Sequence, residues 1–298
     1  MQVRSQPDTG TFALRLRGFL AFQIPLQTEE PAFVSSVATP LRFIAARGCW
    51  LFSLMVVVLA VFAVSSASSP QSQRSKLFRH HSTVAWSCSA SGVQALVYRA
   101  GMAVDADGAF RAYHPNDGMG LDSIEHAGHP GNWWALATDT GTPRGRPVLQ
   151  GDNDPAPGFY VSMTSLFDAS IIDERNPRRF VDAMSVPYVV LPPEGFKYAK
   201  LGDFATVVNL RNGKIEGAII ADESSPELPM GEGSIALACA LGIDSDPRSG
   251  GVEKGIVYVI YPNSGNGKPR ALDEIVSASQ AQFKQWGGFP RLRGCLNE

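Results

Sequence analysis

Two carboxylates carry the clearest chemical potential in this sequence. Asp222 closes the apolar run Gly217-Ala218-Ile219-Ile220-Ala221, and Glu232 stands ten positions on, in Gly231-Glu232-Gly233-Ser234, across a Pro-containing loop. A loop that folds back would bring both acids to one cleft with a sugar between them, one to protonate the leaving oxygen and one to activate water. The same spacing suits a purely structural pair, with Asp222 starting a turn and Glu232 complementing a helix N-terminus. On composition alone the structural pair is favoured. A second acidic group, Val104-Asp105-Ala106-Asp107-Gly108, precedes Tyr113-His114-Pro115. Its Asp-x-Asp-Gly start is that of a calcium loop, but the remaining ligands, including the distant Glu, are missing. A hairpin turn is the plainer reading, and contacts from Asp105 and Asp107 to a cationic substrate are the functional one.

Other chemistries find little support. The five histidines have no zinc-ligand spacing with cysteine, and His-Glu-x-x-His is absent, so no metal or cofactor is expected. No Gly-x-Ser-x-Gly elbow occurs, and Asn263-Ser264-Gly265-Asn266-Gly267-Lys268 lacks the first glycine of a phosphate loop, which leaves it a surface turn. Trp133 and Trp134 are adjacent, so on a strand they face opposite sides, one free to stack on a ligand ring while the other packs.

These residues need elements to hold them. Short apolar runs bounded by turn signals predict strands over 94–100, 110–113, 133–138, 158–163, 188–191, 204–210, 215–221 and 256–261. Asn212-Gly213 between two of them predicts a type I′ hairpin turn. Helices are expected over 234–241 and over 272–286, where Leu272, Ile275, Phe283 and Trp286 form an apolar stripe. The pattern is that of one mostly β domain with a few helices.

The chain has 298 residues, 44% hydrophobic and 18% charged, which excludes disorder as its main state. Its 26 basic and 28 acidic residues give a net charge of −2 without a basic block, so the electrostatic footprint of a nucleic-acid binder is missing. The uncharged run 49–64 follows Arg42 and Arg47 and precedes Ser65-Ser66-Ala67, the pattern of an export signal with a cleavage site, although its leader is long. Residues 1–67 are therefore expected to be a leader, 68–92 a linker and 93–298 the domain, secreted after cleavage and free of the membrane; an uncleaved anchor over 49–64 is the alternative. Without residues 1–67, which hold five Arg and three acids, 21 basic and 25 acidic residues leave a net charge of −4. Cys88, Cys239 and Cys295 then allow at most one internal disulfide. Its pairing stays open, although Cys88 with Cys295 would tie the two ends of the domain.

Taken in order, these segments resemble the glycoside hydrolase family 75 chitosanases, over about residues 95–288. The resembling motifs are Val104-Asp105-Ala106-Asp107-Gly108, Ala112-Tyr113-His114-Pro115, Gly131-Asn132-Trp133-Trp134, Pro157-Gly158-Phe159-Tyr160-Val161-Ser162, Val186-Pro187-Tyr188-Val189-Val190, Leu201-Gly202-Asp203-Phe204-Ala205, Ala221-Asp222 and Gly231-Glu232-Gly233-Ser234-Ile235-Ala236-Leu237-Ala238. The resemblance implies inverting endo-hydrolysis of β-1,4 bonds in chitosan, with Asp222 and Glu232 as the essential acids, and the protein is expected to act as a monomer. The motif around Asp222 is also similar to that of double-psi β-barrel proteins, which implies a barrel. The loop 223–230, with its extra acids Glu223 and Glu227, departs from the family pattern and leaves the separation of the pair open.

For a polycationic substrate, Asp105, Asp107 and Asp203 are the candidate ammonium contacts and Trp133 the candidate stacking platform. Desolvation at the end of an apolar strand would keep Asp222 protonated, while a helix N-terminus would favour ionised Glu232. That argument makes Asp222 the acid and Glu232 the base. Hydrolysis of another cell-wall glycan and a non-catalytic carbohydrate-binding role are the competing readings.

Overall fold

Val, Ile, Tyr and Phe crowd the segments that become strands, as expected of side chains that fit a pleated, buried surface. The structure, a computed structural model, describes residues 74–296. The leader and the apolar run 49–64 lie outside the described residues. In chain order the strands are β1 (Arg74–His80), β2 (Thr83–Cys88), β3 (Leu96–Asp105), β4 (Gly128–His129), β5 (Asn132–Trp133), β6 (Tyr188–Leu191), β7 (Phe204–Asn209), β8 (Ile215–Glu223), β9 (Glu232–Ser234) and β10 (Val252–Ile260). Three α-helices follow the later strands: α1 (Ile235–Ala240), α2 (Leu272–Trp286) and α3 (Gly288–Leu296).

Six strands close on themselves in the order β3-β10-β7-β8-β6-β9, and β9 pairs back onto β3. The β6–β8 and β3–β9 pairs are parallel and the other four antiparallel. The result is the expected mostly β domain built on a barrel. Closure leaves these strands no open edge along the ring. Residues Phe204 to Asn209 are buried throughout, because the barrel covers one face of β7 and α2 packs near the other. Gly217 permits that approach: a Cβ there would lie 2.8 Å from the Cβ of Ser279. On α2 the buried stripe is Ile275, Ser279, Phe283 and Trp286, whereas the predicted Leu272 is exposed.

Several sequence expectations change. Residues 74–88, expected within a linker, form the β1–β2 hairpin, and β2 extends the sheet by pairing with β3 at Trp86↔Val97 and Ser87↔Leu96. Its alternation of charged and apolar residues is weak, which hid it. Residues 110–113 are not a strand, since consecutive turns, with Ala109 N–H donating to Ala106 and Ala112 N–H to Ala109, curl the chain there. The 133–138 and 158–163 runs meet at one isolated bridge, Leu136↔Ser162, and are otherwise bridged to the 147–149 segment, at Thr138↔Pro147 and Leu149↔Tyr160. The β7–β8 connection is a five-residue loop, 210–214, in which Gly213 alone takes a positive φ, 74°, with Asn209 N–H donating to the Lys214 carbonyl; it is not the type I′ turn. Helix α3 was unexpected because Gly288, Pro290 and Gly294 interrupt its pattern. It carries Cys295, which is disulfide-bonded to Cys88, while Cys239 is free and exposed.

Candidate functional site

Asp222 and Glu232 reach one cleft by strand register. In β6, Val190 is the partner of Asp222 on one side and of Glu232 on the other. The two acids therefore stand two interstrand spacings apart, roughly 9–10 Å between Cα atoms, with side chains on a shared face. A bulge sets this row. Val189 pairs with Ile220 and Val190 with Asp222, so Ala221 is the extra residue, and its carbonyl accepts from Leu166 N–H at 2.8 Å. One residue fewer would turn Asp222 to the opposite face. On the other side Gly231, at φ 109°, swings the chain into β9, and a Cβ there would lie 2.6 Å from the Gly101 carbonyl oxygen. The strand pairings, not the length of the loop 223–230, thus fix the backbone separation of the two acids.

The environments of the pair differ. Asp222 Oδ1 accepts from Ser165 Oγ at 2.5 Å, Ser165 N–H at 3.1 Å and Glu223 N–H at 2.8 Å. Burial and the nearby Asp105 charge raise its pKa to about 7 against the pull of those donors. Glu232 is pushed well above the ordinary range by burial and then by Asp105, Asp222 and Asp122, with no hydrogen bond offsetting the rise. It lies in β9, not at a helix start. Helix α1 begins at Ile235 and is capped by Ser234, whose Oγ accepts from Leu237 N–H. The helix-terminus argument for an ionised Glu232 therefore fails.

Asp105 and Asp107 join the pair. Asp105 ends β3, where its Oδ1 accepts from Asp107 N–H at 2.8 Å and its Oδ2 from the Tyr188 hydroxyl at 3.0 Å. Asp107 accepts from the Tyr113 hydroxyl at 2.8 Å. Burial raises Asp105 to about 6, and burial together with the charges of Asp105 and Asp222 lifts Asp107 well above the usual carboxylate range. Carboxylate oxygens of Asp105, Asp107 and Asp222 all lie within 4.8 Å of one another. An all-oxygen trio is the donor set that hard cations take, and it equally suits protons shared among like charges. The backbone between them is a turn, with Gly108 at φ 76° against the Val181 carbonyl.

The cleft, about 980 Å³, is lined by these four acids and by Asp122, Glu223 and Glu227. Sequence reasoning missed Asp122. It is 4% exposed, and its pKa is raised by burial although His126 Nδ1 lies 2.9 Å from its Oδ1. Arg248 also borders the cleft, but its guanidinium is spent on the 117–123 loop, donating to Asp117 Oδ2, Ser123 Oγ and the Asp117, Gly120 and Asp122 carbonyls. Neither Asp122 nor Ser165 stands in a motif that sequence reasoning would single out.

Two predicted contacts fall elsewhere. Asp203 is 1% exposed and outside the cleft, where its carboxylate accepts from the N–H groups of Lys200, Asn263 and Gly265. The 263–268 turn thus already wraps an internal carboxylate. Trp133 is partly buried against the core, whereas Trp134 lines the cleft, 54% exposed, with its indole N–H donating to the His126 carbonyl. The sequence narrowed the platform to two neighbours but could not tell which one turned outward.

No protein-family model matches the chain, and no curated protein is significantly similar to it. Among the described residues no helix is long and apolar enough to cross a membrane.

Proposed function

We propose that the protein is an exported endo-glycanase that hydrolyses β-1,4 bonds of chitosan with inversion, through Asp222 and Glu232. The observation that carries this reading is the shared row across β6, which spaces two cleft-facing acids roughly 9–10 Å apart at their Cα atoms. Two interstrand spacings between the Cα atoms, with both side chains on one face, leave room for a sugar and a water between the carboxyl groups, as inversion requires. The acid-lined cleft suits a polycation, whose ammonium groups would relieve the repulsion among the clustered carboxylates.

In this reading the roles are the reverse of those argued from sequence. Asp222 is the member of the pair with hydrogen-bond donors to its ionised form, so it is the base that takes a proton from the attacking water once the pH passes its raised pKa of about 7. Glu232, raised by burial and by its acidic neighbours without a compensating donor, holds the proton that passes to the leaving glycosidic oxygen. Asp105 and Asp107 contact substrate ammonium groups, and Trp134 offers its ring to a sugar face.

Release of reducing ends from highly deacetylated chitosan tests the proposal. Glu232→Gln and Asp222→Asn are each expected to lower kcat by at least about 10²-fold, the range of a lost general acid or base, with the fold retained. Full turnover in either variant would overturn the assignment. An inactive, folded wild type would redirect the reading to another glycan or to binding alone.

A further inference from the structure

A second cavity, about 350 Å³, opens beside the main cleft and shares Asp107, Trp134, Asp222 and Glu223 with it. Asp222 therefore stands on the border between two hollows and not at the end of one. Beyond that border the second cavity is lined by Ser165, Phe167, Glu174 and Arg179. Phe167 is 37% exposed, although an aromatic ring is usually buried in a folded chain. The positive charge in this hollow is occupied: the Arg179 guanidinium lies 4.0 Å from the centre of the Phe167 ring, donates to the Ile171 carbonyl and sits 4.0 Å from Glu174 Oε1. Glu174 itself is largely open to solvent, with 71% of its side chain exposed. Trp134 and the part of Phe167 that Arg179 leaves exposed offer apolar ring surface, and Glu223 together with the solvent-facing Glu174, which Arg179 approaches only to 4.0 Å, offers negative charge, the chemistry that receives one amino sugar.

We infer that the second cavity is an additional sugar subsite beside Asp222, so that one bound amino-sugar chain is cleaved between Asp222 and Glu232 in the main cleft and extends past Asp222 into the second hollow. This rests on the proposed glycan-hydrolase reading for the identity of the chain, and on the continuity of the two cavities for its path. Ser165 serves both functions, since its hydroxyl holds Asp222 while the residue forms part of the subsite wall.

The test uses glucosamine oligomers of two to six units. Affinity is measured by calorimetry in the Glu232→Gln protein, in which turnover is blocked. Kd should fall as the oligomer lengthens, and Phe167→Ala should weaken the longest oligomers about tenfold while leaving the shortest unaffected, the size of one lost aromatic contact. Glu174→Gln, at an exposed position that leaves packing intact, should weaken the same long oligomers. In the active protein, both substitutions should shift the products formed from the hexamer. A length dependence and product pattern unchanged in both variants, in an enzyme that cleaves chitosan, would overturn the subsite while leaving the hydrolase reading intact. Length-dependent binding that is sensitive to Phe167, in a protein that never cleaves, would uphold the subsite and overturn the hydrolase. Failure of every oligomer to bind would overturn the subsite.

Discussion

Asp105 is the acidic neighbour whose charge bears most on the proposed catalytic pair. Its charge is the largest cause after burial in holding both Asp222 and Glu232 high. Asp105→Asn removes that charge, so the pKa values of both acids should fall. If Asp222 must be ionised and Glu232 protonated for turnover, the acid and alkaline limbs of kcat/KM should both move to lower pH relative to wild type on the same oligomer. Unchanged limbs would contradict the coupling. At this scale much of the site was legible: Asp222, Glu232, Asp105 and Asp107 stand in motifs and all reach the cleft. Trp133 and Asp203 were misplaced for a physical reason. Which of two adjacent tryptophans faces outward, and whether an Asp meets solvent or backbone N–H groups, depend on turns that local sequence does not encode. Ser165 and Asp122 act through contacts 57 and 4 residues away in the chain, and only the folded chain brings the first of these to Asp222.

Two backbone irregularities aim the acids: the Ala221 bulge in β8 and Gly231 at the entry to β9. Gly231→Ala would force an L side chain into φ 109° with its Cβ 2.6 Å from the Gly101 carbonyl oxygen. A cost of roughly 1–3 kcal/mol in unfolding free energy is expected, with loss of turnover as β9 shifts. Gly213→Ala, at φ 74° in the open β7–β8 loop with no atom within 4 Å of the new Cβ, should leave turnover unchanged. Denaturant titration beside chitosan hydrolysis checks both, and an active, fully stable Gly231→Ala would show that β9 does not depend on this turn. Strands β6, β7 and β10 and helix α2 were readable because their apolar periodicity is strong. The bulge was not, since Ala221 looks like any other small strand residue and its role arises only when β6 lies beside it.

At the scale of the whole molecule, the barrel is closed and its two chain ends are tied together. Cys88 and Cys295, 207 residues apart, form the disulfide that the sequence allowed without fixing, and the Trp286 indole N–H donates to the Cys88 carbonyl at 2.5 Å beside it. A cross-link closing so long a loop is worth about 2–5 kcal/mol. Cys295→Ser should therefore lower Tm by about 2–4 °C for each kcal/mol lost, and peptide mapping without reduction should link these two cysteines and leave Cys239 alkylatable. Free Cys88 and Cys295 in the native protein would contradict this. An oxidising destination, in keeping with the proposed export, is where such a bond persists. The central claim concerns the geometry that the barrel imposes on its two acids, and time-resolved proton NMR of glucosamine hexamer cleavage tests it most directly. The first products should carry the α-anomer at the new reducing end, because in the proposed inversion water attacks the anomeric carbon from the face opposite the leaving group. Products that appear first as the β-anomer, or a folded protein that leaves the hexamer intact, would contradict the account.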